Sequence, residues 1–505
     1  MAYPNNPYLS NVCTPYHYQW LGIQRLLKTP YAILGDETGL GKTIQAVYTY
    51  TFFKNKYPAV PCIVFVEKST VYQWEEEFKK FTQDLDIEVI TATTHKNVDK
   101  RVAAFRNSKA DVIITTYSIT RVRGTKDPAT NKLQKITPAN NPILMAIRYK
   151  CQDEGFFIYD EPNVFKNVST QVHQNIRYLQ RYACKIIGLT AMVFENCLEE
   201  AYGVVKNIST DTFRTKDLFY QQYCIYWMPN SHTKVVTGYK NLDHFKRAMS
   251  PIHIRRTYDD PLVQQAIPET RDFIRRVYLD ASHSSLVADA MDNFITTSTG
   301  EQIELSDLTS LVFQQRLVND PRFVDDSLEP TKLLQVFEFV EGDLANDRVI
   351  VFSRFKETIN ALHEIFRQNL SVKRLKSVAR ITGDESAEVR KRSQDMYNKI
   401  TNGIILMTTA GVKGLNLQAG RILVLVDSPW GYGTDHQLLG RIKRTGSTYS
   451  HVLRYRFLAT LASGRETIDH KVWETLQDKK GLFDQVSEMD EQDFSKSLYR
   501  KMKNA

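Results

Sequence analysis

The chain has 505 residues, of which 42% are hydrophobic and 24% charged, and its formal net charge is +9. Since a single core stops growing near about 250 to 300 residues, this length predicts two large lobes. No apolar run approaches the roughly 18 to 20 residues that cross a bilayer, and the amino terminus lacks the basic start and apolar centre of a secretory signal. We therefore expect a globular protein that works inside a cell, with no membrane partner.

The positive charge is by itself a weak indication of a polyanionic partner, because many soluble proteins of this size carry as much. The basic residues do cluster, at Arg255, Arg256, Arg275, Arg276, Arg367, Lys373, Arg374, Lys376 and Arg380. A solvated helix face explains any one cluster as well as phosphate contact does. The six cysteines show no C-x-x-C spacing, which argues against a zinc site and against a disulfide framework.

Short apolar runs alternate with amphipathic helical stretches in the first half of the chain. These runs are Tyr31–Leu34, Cys62–Val66, Val112–Thr115, Phe156–Tyr159 and Lys185–Leu189. The same rhythm returns in the second half at Val349–Phe352, Arg380–Thr382, Gly403–Met407 and Ile422–Val426. Strands that alternate with helices are typical of a parallel sheet, so the sequence predicts an α/β fold with two parallel-sheet lobes.

Composition shifts predict the boundaries of these lobes. Residues 200–330 are more helical and polar than the flanking regions, and residues 123–141 have the Gly/Pro punctuation of an exposed loop. We predict an amino-terminal tail at 1–13, a first lobe with a helical insertion at 14–250, a helical protrusion and linker at 251–330, a second lobe at 331–465, and a carboxy-terminal helix and tail at 466–505.

The stretch Gly35–Thr43 is a glycine-rich loop that ends in Lys-Thr, between an apolar strand and a helix. In this context the loop N–H groups and Lys42 bind nucleotide phosphates, and the Thr43 hydroxyl ligates Mg²⁺. Asp36 stands where the strict pattern has glycine. The predicted nucleotide-binding residues are Asp36, Glu37, Thr38, Gly39, Leu40, Gly41, Lys42 and Thr43. The alternative is a glycine turn with a surface lysine.

Two acids follow the apolar strand Phe156–Tyr159, which places them at the carboxyl edge of the predicted sheet beside the glycine loop. Hydrolysis of ATP requires a metal that neutralises developing charge and a base that orients water. Asp160 is therefore the predicted Mg²⁺ ligand and Glu161 the predicted base. In isolation, an Asp-Glu pair is usually only solvated.

A pair of arginines in the second half could stabilise the charge of the transition state. Arg441 and Arg444 are three residues apart, so that on a helix they would share one face. Arginine fingers act in this way on a γ-phosphate. Taken alone, such a pair would more often lie on the surface.

In their order and spacing these motifs resemble the superfamily-two helicase-type ATPases, and specifically the Swi/Snf-like DNA translocases. Residues 36–43 resemble the family's D-E-M-G-L-G-K-T, which accounts for Asp36. Tyr18-Gln19 resembles the adenine-reading glutamine motif, and Asp160-Glu161 fills the D-E-x-H position, with Pro162-Asn163 replacing Ala-His. Residues 408–417 resemble T-x-A-G-x-x-G-L-N-L, and Gln437, Gly440, Arg441 and Arg444 resemble the arginine motif.

The resemblance spans about residues 16–447 and implies two RecA-like lobes, ATP and Mg²⁺ as cofactors, and DNA as partner. It implies that Gln19 binds the nucleotide and that Gln437, Arg441 and Arg444 act with Lys42, Asp160 and Glu161 in catalysis. The nucleic-acid contacts that it implies are Thr116, Ser353, Arg354, Thr408, Ala410 and Gly411. The coupling motif, usually L-T-G-T-P, is altered here to Leu189-Thr190-Ala191-Met192-Val193, followed by Asn196.

The resemblance favours a motor that translocates on double-stranded or branched DNA, to remodel junctions or to displace bound proteins. Because we recognise no chromatin-reading or zinc module, a compact viral or bacterial member is favoured, with proteins of replication, recombination or transcription as candidate partners in a host or bacterial cytoplasm. One alternative is an ATPase that acts on RNA or on a stalled RNA polymerase. Another is a degenerate module that only binds nucleic acid.

Overall fold

The computed structural model describes residues 5–10, 14–122, 136–152, 154–194, 197–230, 233–292, 294–296, 302–304, 307–411 and 415–477. By their contacts, these residues form two compact units, a first unit before Ala266 and a second unit from Ala266 onward. Each unit contains one large parallel sheet, so the predicted fold class is confirmed.

The first unit is built on a seven-stranded sheet. Its strands are β1 (Tyr31–Leu34), β2 (Cys62–Val66), β3 (Ile87–Ile90), β4 (Val112–Thr116), β5 (Gly155–Asp160), β6 (Ala183–Leu189) and β9 (His253–Ile254), and a separate hairpin is formed by β7 (Cys224–Asn230) and β8 (Thr233–Tyr239). The sheet order is β3-β4-β2-β5-β6-β1-β9, and every pair is parallel. All five residues of β2 are buried, as expected where helices cover both faces of a parallel sheet.

Helices pack on both faces of this sheet. They are α1 (His17–Lys28), α2 (Lys42–Lys56), α3 (Val71–Phe81), α4 (Val98–Asn107), α5 (Pro142–Cys151), α6 (Gln171–Leu179), α7 (Glu199–Lys206), α8 (Lys216–Tyr223), α9 (Leu242–Met249) and α10 (Pro261–Gln264). Successive β2 residues enter opposite cores: Ile63 and Phe65 join one, Val64 the other. The period of two along each strand therefore separates the two cores.

The second unit repeats the plan with a six-stranded sheet of order β10-β17-β16-β13-β15-β14, again parallel throughout. Its strands are β10 (Glu269–Tyr278), β13 (Val349–Phe352), β14 (Val378–Ile381), β15 (Ile404–Met407), β16 (Ile422–Leu425) and β17 (His451–Thr460), with a small β11 (Phe294–Thr296) and β12 (Gln302–Glu304) pair. Its helices are α11 (Ala281–Met291), α12 (Asp307–Asn319), α13 (Thr331–Glu341), α14 (Lys356–Asn369), α15 (Val372–Leu375), α16 (Ala387–Lys399) and α17 (Tyr432–Leu439).

The region 200–330 differs from its mainly helical prediction, because it contains six strands, β7 to β12, as well as helices. The ten-residue strand β10 pairs along its whole length with β17 and so belongs to the second sheet. This strand could not be predicted from the sequence, because its residues do not alternate between apolar and polar. Only Val277 of β10 is buried, so no alternation is needed. The contact boundary lies between Gln265 and Ala266, whereas the sequence analysis placed boundaries after residues 250 and 330.

Parts of every predicted segment lie outside the described residues. They are 1–4 and 11–13 of the tail, 123–135, 153, 195–196 and 231–232 of the first lobe, 293, 297–301 and 305–306 of the linker, 412–414 of the second lobe, and 478–505 at the carboxy terminus. Asn196 and residues 412–414 belong to the motifs. Residues 468–477 are helical, in agreement with the predicted carboxy-terminal helix. Within the described ranges, no helix combines the length and apolar character needed to cross a membrane.

Candidate active site

The glycine-rich loop joins the buried end of β1 to the first residue of α2, which is Lys42. Gly39 and Gly41 adopt left-handed backbone conformations, with φ of 81° and 73°. Other residues adopt this conformation only at a cost, so the two glycines are what allows the loop to turn into the helix. The predicted strand, loop and helix context is therefore present.

Lys42 is held inside this loop. Its Nζ donates hydrogen bonds to the carbonyl oxygens of Asp36 at 2.7 Å and Glu37 at 3.3 Å. Burial lowers the pKa of Lys42, and the carboxylates of Glu161, Asp36, Asp160 and Glu37 oppose this shift. The ammonium is thus desolvated, and its nearest hydrogen-bond partners are neutral carbonyl groups, an arrangement that favours a strong anionic ligand.

The acid pair lies at the same edge of the sheet as the loop. Leu34, the last residue of β1, and Asp160, the last residue of β5, both lie opposite Leu189 of the intervening strand β6. Glu161 follows with a left-handed backbone, φ 49°, and its N–H donates to the Leu189 carbonyl at 2.9 Å. Such a conformation is strained for a non-glycine residue, and strained residues are enriched at active sites.

Asp160 is half-buried at the end of β5, and desolvation of its carboxyl group together with the neighbouring Glu161 raises the pKa of that group to about 7. The indole N–H of Trp74 donates to Asp160 Oδ2 at 2.8 Å and opposes that shift, as does Lys42. The Tyr117 hydroxyl donates to the Asp160 carbonyl at 2.8 Å. Two aromatic residues from neighbouring elements therefore fix the orientation of this acid.

Gln19 contacts the far side of the same loop. Its Nε2 donates to the Leu40 carbonyl at 3.0 Å, and the Tyr18 hydroxyl donates to the same oxygen at 2.9 Å. A Cβ atom on Gly41 would lie 2.4 Å from Gln19 Nε2. The predicted adenine-reading residue and the phosphate loop are thus packed together.

Asp36, which stands where the strict phosphate-loop pattern has glycine, is bonded within the protein. Its side chain is fully buried, and its two carboxylate oxygens accept hydrogen bonds from Arg256 Nε at 2.8 Å and Gln45 Nε2 at 2.9 Å. The Asp36 side chain is therefore engaged within the protein, and its part in nucleotide binding stays a prediction. A buried carboxylate requires a compensating cation, and the aspartate at this position of the loop is therefore the signal in the sequence that could have indicated Arg256.

The altered coupling motif is bonded to the segment that follows the acid pair. Asn163, which replaces the usual histidine, donates from Nδ2 to the Met192 carbonyl at 3.0 Å. The Thr190 hydroxyl donates to the same carbonyl at 2.8 Å, and the Thr190 N–H donates to Leu34 at 3.2 Å. A continuous path of hydrogen bonds therefore joins the segment after β5 to the end of β1.

The arginine motif in the second unit differs from its prediction. Helix α17 ends at Leu439, so Arg441 and Arg444 do not share a helix face. The chain turns at Gly440 and brings the two side chains together in another way: Arg441 Nη1 donates to the Leu415 carbonyl at 3.0 Å and Arg444 Nη2 to the same carbonyl at 3.4 Å. Gln437 lies on α17, one turn before Arg441.

Ser353 and Arg354, two of the predicted DNA contacts, follow β13 and are engaged within the second unit. Ser353 is fully buried, and its hydroxyl donates to Asp427 Oδ2. Arg354 donates from its backbone N–H to Asp427 Oδ1 at 2.9 Å and from Nη1 to Gln315 at 2.9 Å. Its guanidinium stacks 4.1 Å from the Trp430 ring centroid.

The remaining predicted contacts also lie at strand ends. Thr116 ends β4, is 4% exposed, and its hydroxyl lies 3.1 Å from the Ser118 hydroxyl. Thr408, likewise 4% exposed, follows β15 and donates to the Thr382 carbonyl at 3.3 Å. Ala410 is half-buried and Gly411 is buried, in the single turn that follows. These four residues remain predicted contacts.

Two family models match the chain. The SNF2-related domain matches residues 18–323, more than half of the sequence, and the helicase conserved C-terminal domain matches residues 331–446. The chain is 24% identical to the CHD3-type chromatin-remodeling factor CHR7 of Arabidopsis thaliana, over 90% of this chain and 35% of that protein. It is 23% identical to the putative ATP-dependent helicase/translocase YwqA of Bacillus subtilis, over 90% of this chain and 46% of that protein.

Among solved structures, the Sulfolobus solfataricus SWI2/SNF2 ATPase core in complex with dsDNA aligns over 96% of this chain and 95% of that chain, with 18% identity and a TM-score of 0.41. This chain spans less than half the length of the two curated relatives. The family resemblance drawn from the motifs is nevertheless confirmed by the two matched domains in their expected order. The chain belongs to the SNF2-related family.

Proposed function

We propose that this chain is an ATP-driven motor that translocates on double-stranded DNA. The observation that carries the proposal is that the glycine loop, whose carbonyl groups hold Lys42 Nζ, and the acid pair Asp160-Glu161 meet at one sheet edge. In the finer form of the proposal, the motor remodels branched DNA, by branch migration or unwinding, or displaces bound proteins.

The residues at this edge fit a nucleotide with a magnesium ion. Mg²⁺ prefers oxygen ligands, and the Thr43 hydroxyl and the Asp160 carboxylate supply them. The raised pKa of Asp160 reflects a desolvated carboxyl group with little cationic compensation, which suits a cation site. When bound, Mg²⁺ would neutralise charge on the phosphates. Lys42 would bind the β- and γ-phosphate oxygens, and Glu161 would hold the attacking water and accept its proton.

Arg441 and Arg444 are proposed to stabilise the charge that develops on the γ-phosphate, with Gln437 assisting. In the structure both guanidinium groups donate to an uncharged main-chain carbonyl, that of Leu415. A phosphate is a stronger partner for arginine than a carbonyl, so exchange from one to the other is favourable. The main-chain turn at Gly440 brings the two arginines to one point without a shared helix face.

DNA is the proposed track, contacted through its phosphates by Thr116, Arg354, Thr408, Ala410 and Gly411. Ser353 is fully buried and bonded to Asp427, so its proposed part is to hold this segment in place. Phosphate contacts carry no sequence information, so binding should tolerate any sequence. It should also weaken with salt, by roughly 0.9 log units per neutralised phosphate for each decade of salt concentration.

The test is to measure ATP hydrolysis by the purified full chain with no nucleic acid, linear duplex, single-stranded DNA, forked DNA, a four-way junction and RNA. Lys42→Ala purified in parallel corrects for contaminating ATPases. We expect the highest rate with duplex DNA, and a further increase with forks or junctions would support the finer proposal.

Two results would reject the proposal in distinct ways. Maximal stimulation by RNA would replace DNA with RNA as the track. Absence of hydrolysis with every nucleic acid would indicate a module that only binds, for which the altered coupling motif and Pro162-Asn163 would then account.

A further inference from the structure

Residues 253–258, which begin with strand β9, run beside the end of β1 and the phosphate loop. The loop N–H groups of Gly35 and Glu37 donate to the carbonyls of Ile254 at 2.6 Å and Arg256 at 3.1 Å. The Tyr258 N–H donates to Glu37 Oε2 at 2.8 Å, and the Tyr258 hydroxyl donates to the Thr38 carbonyl at 2.7 Å. Every second residue of the segment therefore holds the loop at a successive point.

One side chain of this segment, Arg256, connects three elements. Its guanidinium donates to Asp36 Oδ1 from Nε at 2.8 Å and to Asp36 Oδ2 from Nη2 at 2.5 Å. Nη2 also donates to Gln45 Oε1 of α2 at 2.8 Å, and Nη1 donates to the Tyr18 carbonyl of α1. Arg256 thus bonds to the start of the phosphate loop, to the helix α2 that follows it, and to the helix α1 that carries Gln19.

The surrounding sequence is fitted to this arginine. A Cβ atom on Gly22 of α1 would lie 2.1 Å from Gln45 Oε1 and 2.6 Å from Arg256 Nη2, so only glycine leaves the passage open. Asp36 has no exposure to solvent and therefore depends on Arg256 and Gln45 for compensation of its charge. The planar fork of arginine can make these bonds simultaneously, whereas a lysine ammonium cannot.

We propose that Arg256 is a positioning residue of the nucleotide site, which sets the geometry of the phosphate loop relative to the Gln19 helix through Asp36, Gln45 and Tyr18. Tyr258 holds the same loop at Thr38 and acts with it. The inference rests on the proposed binding of ATP at this loop. It assigns to the acid at position 36 a role other than phosphate contact, because the cation it binds is the protein's own.

The experiment measures the Kd of a fluorescent ATP analogue, with Mg²⁺, for the full-length wild-type chain and for Arg256→Lys, Asp36→Asn and the double variant. Arg247→Lys, an exposed arginine on α9, is the matched control. Thermal unfolding of each variant shows that binding is compared among folded proteins. Tyr258→Phe, which removes only the hydroxyl that bonds Thr38, provides a milder variant should Arg256→Lys fail to fold.

We expect each single variant of the pair to raise the Kd about tenfold, the scale of losing a hydrogen bond between charged groups. The Kd of the double variant should lie within about twofold of the Kd of the single variant that binds more weakly, since both changes remove one shared contact. Tyr258→Phe should raise the Kd about threefold, and Arg247→Lys should leave it unchanged.

The outcomes separate this inference from the function on which it rests. If the wild-type chain does not bind the analogue, the proposed function fails. If wild type binds and the folded Arg256→Lys or Asp36→Asn chain binds equally well, the positioning role is overturned. Fully additive effects of the two changes would likewise overturn it, because they would show that the residues act separately.

Discussion

The polar residues that follow a central strand are arranged differently in the two units. In the first unit, β1 leads into a glycine loop whose turns depend on left-handed Gly39 and Gly41. In the second unit, β13 leads into Ser353, whose side chain is buried and bonded to Asp427. Both strands lie inside a parallel sheet, and both sheets have helices on their faces. The same architecture therefore offers polar groups to a ligand in one unit and uses them internally in the other.

In the second unit, Ser353 and Asp427 belong to a larger network of buried polar side chains. Asp427 accepts from Asn319 Nδ2 at 2.8 Å, Asn319 accepts from Lys332 Nζ at 3.0 Å, and Lys332 donates to Asp469 at 2.6 Å. Lys332 has no solvent exposure and Asp469 only 1%. This buried network holds the segment after β13 in place, whereas in the first unit the segment after β1 is the glycine loop, which we propose binds phosphates.

We expect the greatest loss of ATP hydrolysis from a substitution in the glycine loop after β1. Lys42→Ala should abolish ATP hydrolysis, because no other side chain places an ammonium inside the loop in the described part of the chain. A steady-state ATPase assay with duplex DNA measures it. Lys56→Ala, an exposed lysine at the other end of α2, should keep wild-type turnover. Unchanged turnover in Lys42→Ala would refute the assignment of the loop.

Arg444→Ala should lower the hydrolysis rate on the order of 10³-fold, the scale of an arginine finger, while nucleotide affinity persists. Single-turnover hydrolysis and analogue binding separate the two quantities. Arg392→Ala, an exposed arginine on α16, is the control. Loss of nucleotide affinity instead would assign Arg444 to ground-state binding.

Lys332→Met tests the buried hydrogen-bond network that supports the segment after β13. It leaves the Asp469 carboxylate buried without its cation, which should lower the free energy of unfolding of the second unit by about 3 to 5 kcal/mol. Urea unfolding followed by circular dichroism measures the change, and exposed Lys373→Met should stay within about 0.5 kcal/mol of wild type. A stable Lys332→Met chain would mean that the network contributes little to the fold.

The smallest effect concerns whether this strand end also reaches DNA. If Arg354 neutralises a phosphate, Arg354→Gln should reduce the slope of log K against log salt by about 0.9. Duplex binding by fluorescence anisotropy across a salt series measures the slope. Arg465→Gln, a partly exposed arginine that pairs with Asp292, is the control. An unchanged slope would restrict Arg354 to its contacts with Trp430 and Gln315.

Several features of this molecule could be predicted locally. The strands that carry Lys42 and Asp160 are continuous apolar runs, which need no knowledge of the partner strands to be recognised. The arginines at 441 and 444 were found from spacing, but their geometry was predicted wrongly, because the helix stops at Gly440. Strand β10 was missed because its stability comes from pairing with β17, about 180 residues later, and not from its own pattern.

The family, the two-lobed α/β plan and the positions of the loop and the acid pair follow from the sequence alone, because they depend on local spacing and on apolar runs. The roles of Asp36 and Ser353 become visible only once the chain has folded. Each is a polar side chain whose partner lies far along the chain, Arg256 for the first and Asp427 for the second. A buried polar group is defined by the partner that compensates its desolvation, and that partner is set by folding, not by neighbours in sequence.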